Sequence, residues 1–236
     1  MKTQPPPDVP APPPSKAAIL SRRKWNCLKV LGILSILFVL AGLAAPMFIR
    51  CQRKADQTEA VSNARQIGIA LSEFYTEYGS FPDASTIGPV RDASPQALPM
   101  RTTSSNDLFR QLFISGIVQS ESMFVAKFDG TRMPDNVSNS DEELLKRGEC
   151  GFTYLMGARE TDHRKRPLLV TAMTPATDRF DRSCFDGKVV ILRLDNSVSS
   201  HDINKDGHVY IDGRNLMDPN HPVWEGRPPT IVWPAL

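Results

Sequence analysis

From Val30 to Ile49 the chain reads VLGILSILFVLAGLAAPMFI, about 20 residues without one ionisable side chain. At 1.5 Å per residue a helix of that length spans the roughly 30 Å hydrocarbon core of a bilayer, so the run predicts a transmembrane anchor over residues 25–49. A cleaved signal peptide is the competing reading, because Arg22, Arg23 and Lys24 resemble its basic region and Ala41 to Ala45 supplies small residues. The apolar run is too long for that, and a helical pattern continues beyond it.

That pattern occupies residues 50–82. Val61, Ala64, Ile67, Leu71, Phe74, Tyr75 and Tyr78 recur at three- and four-residue steps, which places them on one helical face. Gln57, Glu59, Ser62, Arg65, Gln66 and Glu73 fill much of the remainder. Gly79 supplies the stop and Pro82 prevents continuation. The apolar face requires a cover, and the part of the 236-residue chain that follows is long enough for one domain with its own core.

In that domain, 83–236, residues 83–106 are rich in Pro, Ser, Thr and Asp and read as a loop. A short helix follows from Asn106 or Asp107, with Leu108 and Leu112 inward and Phe109 and Phe113 as further candidates. Residues 129–141 read as another loop, and Asp141 to Arg147 as a helical turn or two. After Cys150 the period changes: GFTYLMG, PLLVTAMTP and KVVILRL are short runs of branched and aromatic residues separated by turn formers, hence strands. Asp195-Asn196 predicts a hairpin from KVVILRL into SVSSHDI, while HVYI and TIVW are candidate edge strands. The fold class is therefore α+β: a long N-terminal helix packed on a small antiparallel sheet.

A basic residue, about 21 mostly apolar residues, a proline, then a long helix closing in NARQIGIALSEFYTEYGSFP (Asn63 to Pro82) resembles the N-terminal region of type IV pilin-like proteins and type II secretion pseudopilins. Setting Pro46 on that family's kink proline places Trp25 at the first residue after the usual cleavage point, without a gap. The resemblance implies a pilin-like fold and a bacterial inner-membrane protein, single-pass, with a cytoplasmic N-terminus and a periplasmic or cell-surface domain. Its implied partners are the membrane and other pilin-like or secretion-system proteins. Positive charge alone does not orient the span, since Lys16 to Lys24 precede it and Arg50, Arg53, Lys54 and Arg65 follow it, but long C-terminal segments translocate largely regardless of charge.

Two residues depart from the family pattern. Lys24 stands where the family has the glycine before the cut, and Lys29 replaces the glutamate that neutralises a neighbour's terminal amine. A lysine there sets like charges together in an apolar medium. The expectation is a retained tail, residues 1–24, with Lys29 reaching to the headgroups as part of a permanent anchor. That tail carries Pro5, Pro6, Pro7, Pro10, Pro12, Pro13 and Pro14, which favour an extended polyproline II spacer or a docking segment for an aromatic groove.

The chemistry-bearing residues are few. Asp202-Ile203-Asn204-Lys205-Asp206-Gly207 matches the first half of a calcium loop, and Asp212 adds a carboxylate, but Gly213 stands where a bidentate glutamate belongs. Calcium is the one cofactor candidate, on Asp202, Asn204, Asp206 and Asp212, against a plain Asx turn. Cys150 and Cys184 are the natural disulfide pair of an oxidising compartment, while Cys27 lies at the inner end of the anchor and Cys51 just past its outer end. His163, His201, His208 and His221 show no compact metal-ligand pairing and read as isolated surface histidines, the alternative being a transition-metal site of His201 and His208 with Asp206. No nucleophile elbow, phosphate-cradling glycine loop or zinc signature is present, so no enzyme and no small-molecule substrate is implied. A formal net charge of +2 without a basic, aromatic-studded cluster gives no reason to expect nucleic acid as a partner. The expected role is structural or interactive; the alternatives are a calcium- or ligand-binding periplasmic module on an anchor, and a membrane-anchored enzyme.

Overall fold

Helix α1 runs from Lys16 to Tyr78, 63 residues. The computed structural model describes residues 16–94, 100–137, 144–171 and 173–236; before residue 47, side chains are described only at Lys29, Leu31, Gly32, Leu34, Ser35, Phe38 and Gly42. The tail 1–15 therefore lies outside the described residues, and α1 already includes Lys16 to Lys24. The chain divides into two units, Met1–Ile49 and Arg50–Leu236.

In the first unit Leu31, Leu34, Phe38, Met47, Phe48 and Ile49 are exposed, from 56% to 82%. Among the described residues no helix is long and apolar enough to cross a membrane. The anchor expected over 25–49 falls largely on side chains outside them.

In the second unit the rest of α1 is amphipathic as its spacing predicts. Ala60, Ala64, Ile67, Leu71 and Phe74 are fully buried, Val61, Tyr75 and Tyr78 pack at the margin, and Ser62, Arg65, Gln66 and Glu73 face solvent. Gly79 ends the helix with φ +70°, its N–H donating to the Tyr75 carbonyl at 2.8 Å, a left-handed cap that glycine adopts without a Cβ penalty.

Five antiparallel strands form the sheet, in the order β4-β3-β2-β1-β7: β1 Phe152–Met156, β2 Pro167–Thr171, β3 Lys188–Arg193, β4 Val198–Asp202 and β7 Thr230–Val232. The β3–β4 hairpin turns at Asp195-Asn196 as expected, with Asn196 at φ +59°. Both faces of the central strands are covered, which is why KVVILRL has no polar alternation. Val190 and Leu192 point to the α1 side with Phe152 and Tyr154, whereas Val189 and Ile191 join Leu155 and Val170 in a second core. Pairing steps from Pro167↔Arg193 to Leu169↔Leu192, so Leu168 is the extra residue of a β-bulge, and Leu168 and Leu169 both enter the first core.

Helix α3, Ser105–Ile114, completes the α1 side with Leu108, Phe109 and Leu112 fully buried. It starts slightly earlier than expected because Ser104 and Asp107 form a capping box: Asp107 N–H donates to Ser104 Oγ at 3.2 Å and Ser104 N–H to Asp107 Oδ2 at 3.1 Å. Two local expectations are corrected. The loop read over 83–106 contains helix α2, Ile87–Ala93, with Val90 buried and Thr86 Oγ1 hydrogen-bonded to Gln111 of α3. The described part of the turn read over 141–147 is not helical, and Leu145 sits at φ +47°, where a helix cannot continue.

The second core is closed by the C-terminal segment. HVYI does not extend the main sheet: β5 (Tyr210–Ile211) pairs with β6 (Arg214–Asn215) in a separate hairpin whose turn residues Asp212 and Gly213 both have positive φ. Trp224 is fully buried against Leu216, Val209 and Val223, and its indole N–H donates to the Leu216 carbonyl at 2.8 Å. Arg166 lies over that ring, 5.3 Å from guanidinium carbon to centroid, and donates to the Arg227 carbonyl at 2.9 Å. Its charge is met by buried Asp162, 3.4 Å away, which also pairs with Arg227.

Candidate functional site

The α1 face that meets the domain carries two residues with specific roles. Asn63, 7% exposed on an otherwise apolar stripe, donates through Nδ2 to the carbonyls of Val125 at 2.9 Å and Ser122 at 3.2 Å, tying the 3-10 turn Glu121–Phe124 to the helix. Gly68 lets the β3–β4 hairpin approach: a Cβ there would lie 2.0 Å from Asn196 Oδ1 and 2.9 Å from Leu192 Cδ1. Lys127 adds an exposed pair to Glu59 at 2.6 Å. Only the apolar stripe was legible beforehand; the signal for Asn63 was a polar residue interrupting it.

Of the anchor positions, Lys29 is exposed; the side chains of Lys24, Trp25 and Pro46 lie outside the described residues, although position 46 is within α1.

The loop weighed as a calcium site against a plain Asx turn follows β4 as a tight Asx turn. Asn204 Oδ1 accepts from the N–H groups of Asp206 (2.9 Å) and His208 (2.8 Å), and Gly207 takes φ +81°. Asp202 pairs with Lys188 across the β3–β4 ladder at 2.5 Å, and Asp212 belongs to the β5–β6 turn. Asp202, Asp206 and Asp212 do not bring three carboxylate oxygens within 4.8 Å of one another.

A different group does: Glu121, Asp135 and Glu149 converge to within that distance. Glu121 and Glu149 are buried, at 1% and 2% exposure, and Asp135 is exposed. Glu121 accepts from Leu145 N–H and from Asn136 N–H at 3.0 Å; Glu149 accepts from Lys146 N–H at 2.6 Å and faces Arg132 at 3.2 Å; Asp135 pairs with Lys146 at 2.6 Å. Burial first, and the neighbouring Glu149 and Asp135 charges after it, push the Glu121 pKa up. These oxygens are the set among the described residues able to hold a cation, and they already cross-link the 121, 135 and 145–149 segments through protein donors. Their spacing in sequence matches no ligand motif, so only the fold brings them together.

Cys150 and Cys184 are both buried and both free thiols, so the expected bridge is not formed. The Cys150 thiol lies 3.7 Å from Ser105 Oγ and donates to the Phe152 carbonyl at 3.6 Å, while burial pushes its pKa up to about 11 and that of Cys184 to about 12. Cys51 is exposed, and the side chain of Cys27 lies outside those described. The histidines serve local structure. His221, 4% exposed, is buried rather than superficial: its Nδ1 accepts from Val223 N–H and its Nε2 donates to the Ile211 carbonyl, each at 3.2 Å. His163 Nδ1 accepts from Lys165 N–H, and His208 Nδ1 faces the Asn215 amide. Compared with known proteins, the chain matches no family model, no curated protein and no solved structure.

Proposed function

We propose that this protein is a non-enzymatic, membrane-anchored, pilin-like component of a bacterial secretion or surface-assembly system. It sits in the inner membrane through residues 25–49 and presents its α+β domain to the periplasm or cell surface, with the 1–24 tail retained on the cytoplasmic side. The observation that carries the reading is α1 itself. Its 60–74 face is an integral wall of the first core, while the same helix continues N-terminally through exposed Leu31, Leu34, Phe38, Met47, Phe48 and Ile49. An apolar stretch that the protein does not cover requires a lipid or protein cover of its own. The partners it fits are the membrane and other pilin-like or secretion-system proteins.

The test is fractionation of expressing cells, followed by intact-mass measurement and co-purification after crosslinking. The expected result is a protein that stays with membranes through alkaline carbonate washing, has a mass that includes Met1 to Lys24, and brings down secretion or pilus components. Release by carbonate overturns the anchor. A chain beginning at methylated Trp25 overturns the retained tail, and recovery of no such component overturns the assembly role.

A further inference from the structure

A cavity of about 580 Å³ opens beside the second core, within the range of small-ligand sites. It lies where the apolar side of the sheet gives way to polar residues. The β3–β4 register sets Ser199 opposite Ile191 and His201 opposite Val189, so both hydroxyl and imidazole continue the face that Val189 and Ile191 begin. Arg193, two residues beyond Ile191, lies across them: Nη1 donates to Ser199 Oγ at 2.6 Å and Nη2 to His201 Nε2 at 3.1 Å.

This half-buried guanidinium is held by neutral groups. Among the described residues no carboxylate lies within 4.0 Å of it, and two further wall residues, Lys165 and Arg214, are exposed and also without an ion pair. Burial lowers the Arg193 pKa, and burial together with the Arg193 charge lowers that of His201, which keeps the imidazole neutral and its Nε2 an acceptor. Asp195 and Asp212 attract Arg193 only from beyond ion-pair distance, and a partly desolvated cation with no carboxylate in contact favours an anion. Two carboxylates, Asp195 and Asp212, share the wall and limit how much negative charge enters. Three cations against two carboxylates leave a formal surplus of one on the wall, which a monoanion balances. The rest of the lining includes Ile211, Leu216 and Val223, an apolar surface for the body of such a ligand.

We propose that this cavity binds a monocarboxylate with an apolar body, its carboxylate on Arg193 and Arg214 and its hydrocarbon against Leu216 and Val223. The same chemistry is presented by a free small acid and by the terminal carboxylate of a polypeptide ending in an apolar residue. The site lies wholly within the Arg50–Leu236 unit and stands or falls independently of the membrane reading.

The full chain in detergent is titrated with N-acetyl-L-leucine, with N-acetyl-L-leucinamide, and with an eight-residue peptide ending in leucine as the free acid or the amide, binding being read by ligand-observed saturation-transfer NMR. The acids bind, and the amides bind about tenfold more weakly or not at all, the loss expected for one charge-assisted hydrogen bond. The Arg214→Ala variant, at an exposed position, weakens the acid by a similar factor, as does Arg193→Gln wherever its melting curve shows a folded protein. A peptide acid that binds about tenfold more tightly than N-acetyl-L-leucine identifies a chain end as the ligand, and equal binding identifies a free acid. Equal binding of acid and amide, unchanged affinity in Arg214→Ala, or no saturation transfer from either acid overturns the proposal.

Discussion

Asp162 shows how much one side chain can govern. It is fully buried and answers two cations, Arg166 at 1% side-chain exposure and the C-terminal Arg227, so it holds the β1–β2 connection against the segment that closes the second core. Forming such a triad yields little net stability, because desolvating the charges offsets most of their attraction, but removing one member strands the others. Asp162→Asn is therefore expected to cost about 3–5 kcal/mol in urea unfolding. Adding Arg166→Met recovers part of the loss, since the stranded charge goes with it. An unchanged midpoint in the single variant would show that solvent reaches Arg166 after all.

At the scale of elements, the contact between α1 and the β3–β4 hairpin is the most specific joint in the domain. In an open helix, Gly→Ala stabilises by roughly 0.8–1 kcal/mol. At Gly68 the sign reverses, because the new Cβ would meet Asn196 Oδ1 at 2.0 Å and Leu192 Cδ1 at 2.9 Å. Gly68→Ala is expected to destabilise by about 1–3 kcal/mol. Asn196→Gly, which suits the φ of +59° and removes the obstructing oxygen, restores part of it in the double variant; thermal melts of the four proteins close the cycle. The elements most legible in the sequence were those with a period or a turn dipeptide: the α1 stripe, the strands after Cys150, and the Asp195-Asn196 hairpin. Helix α2 was hidden because it is seven residues long and buries one side chain, Val90, too few to show a period. HVYI was misassigned because branched residues mark a strand without naming its partner. The Glu121–Asp135–Glu149 cluster was illegible for another reason: its members are drawn together by long-range packing, and no local spacing records that; in the cavity, the hairpin sets Arg193, Ser199 and His201, but packing alone brings Leu216 and Val223 to them.

For the whole molecule, both cores lie within Arg50–Leu236, which includes the α1 residues that wall the first of them. A chain begun at Arg50 is therefore expected to fold with the same tertiary near-ultraviolet circular dichroism and a single cooperative melt. Starting instead at Gly79 removes Ala64, Ile67, Leu71 and Phe74 from the core, and that chain is expected to lose cooperativity. In cells the Arg50 chain fractionates away from membranes, because the uncovered apolar residues precede it; retention there would mean that the domain has a membrane affinity of its own.

The sheet's two ends carry one more consequence. β4 reads Val-Ser-Ser-His-Asp and closes on a charge already paired with Lys188, while β7 at the opposite margin has only three residues. Short or polar margins make poor templates for the strand of another molecule. On the membrane location proposed above, copies would meet at high effective concentration, where an open β margin invites runaway polymerisation. A sheet bordered in this way offers little to the strand of a second copy, so crowding does not carry the domain toward cross-β association.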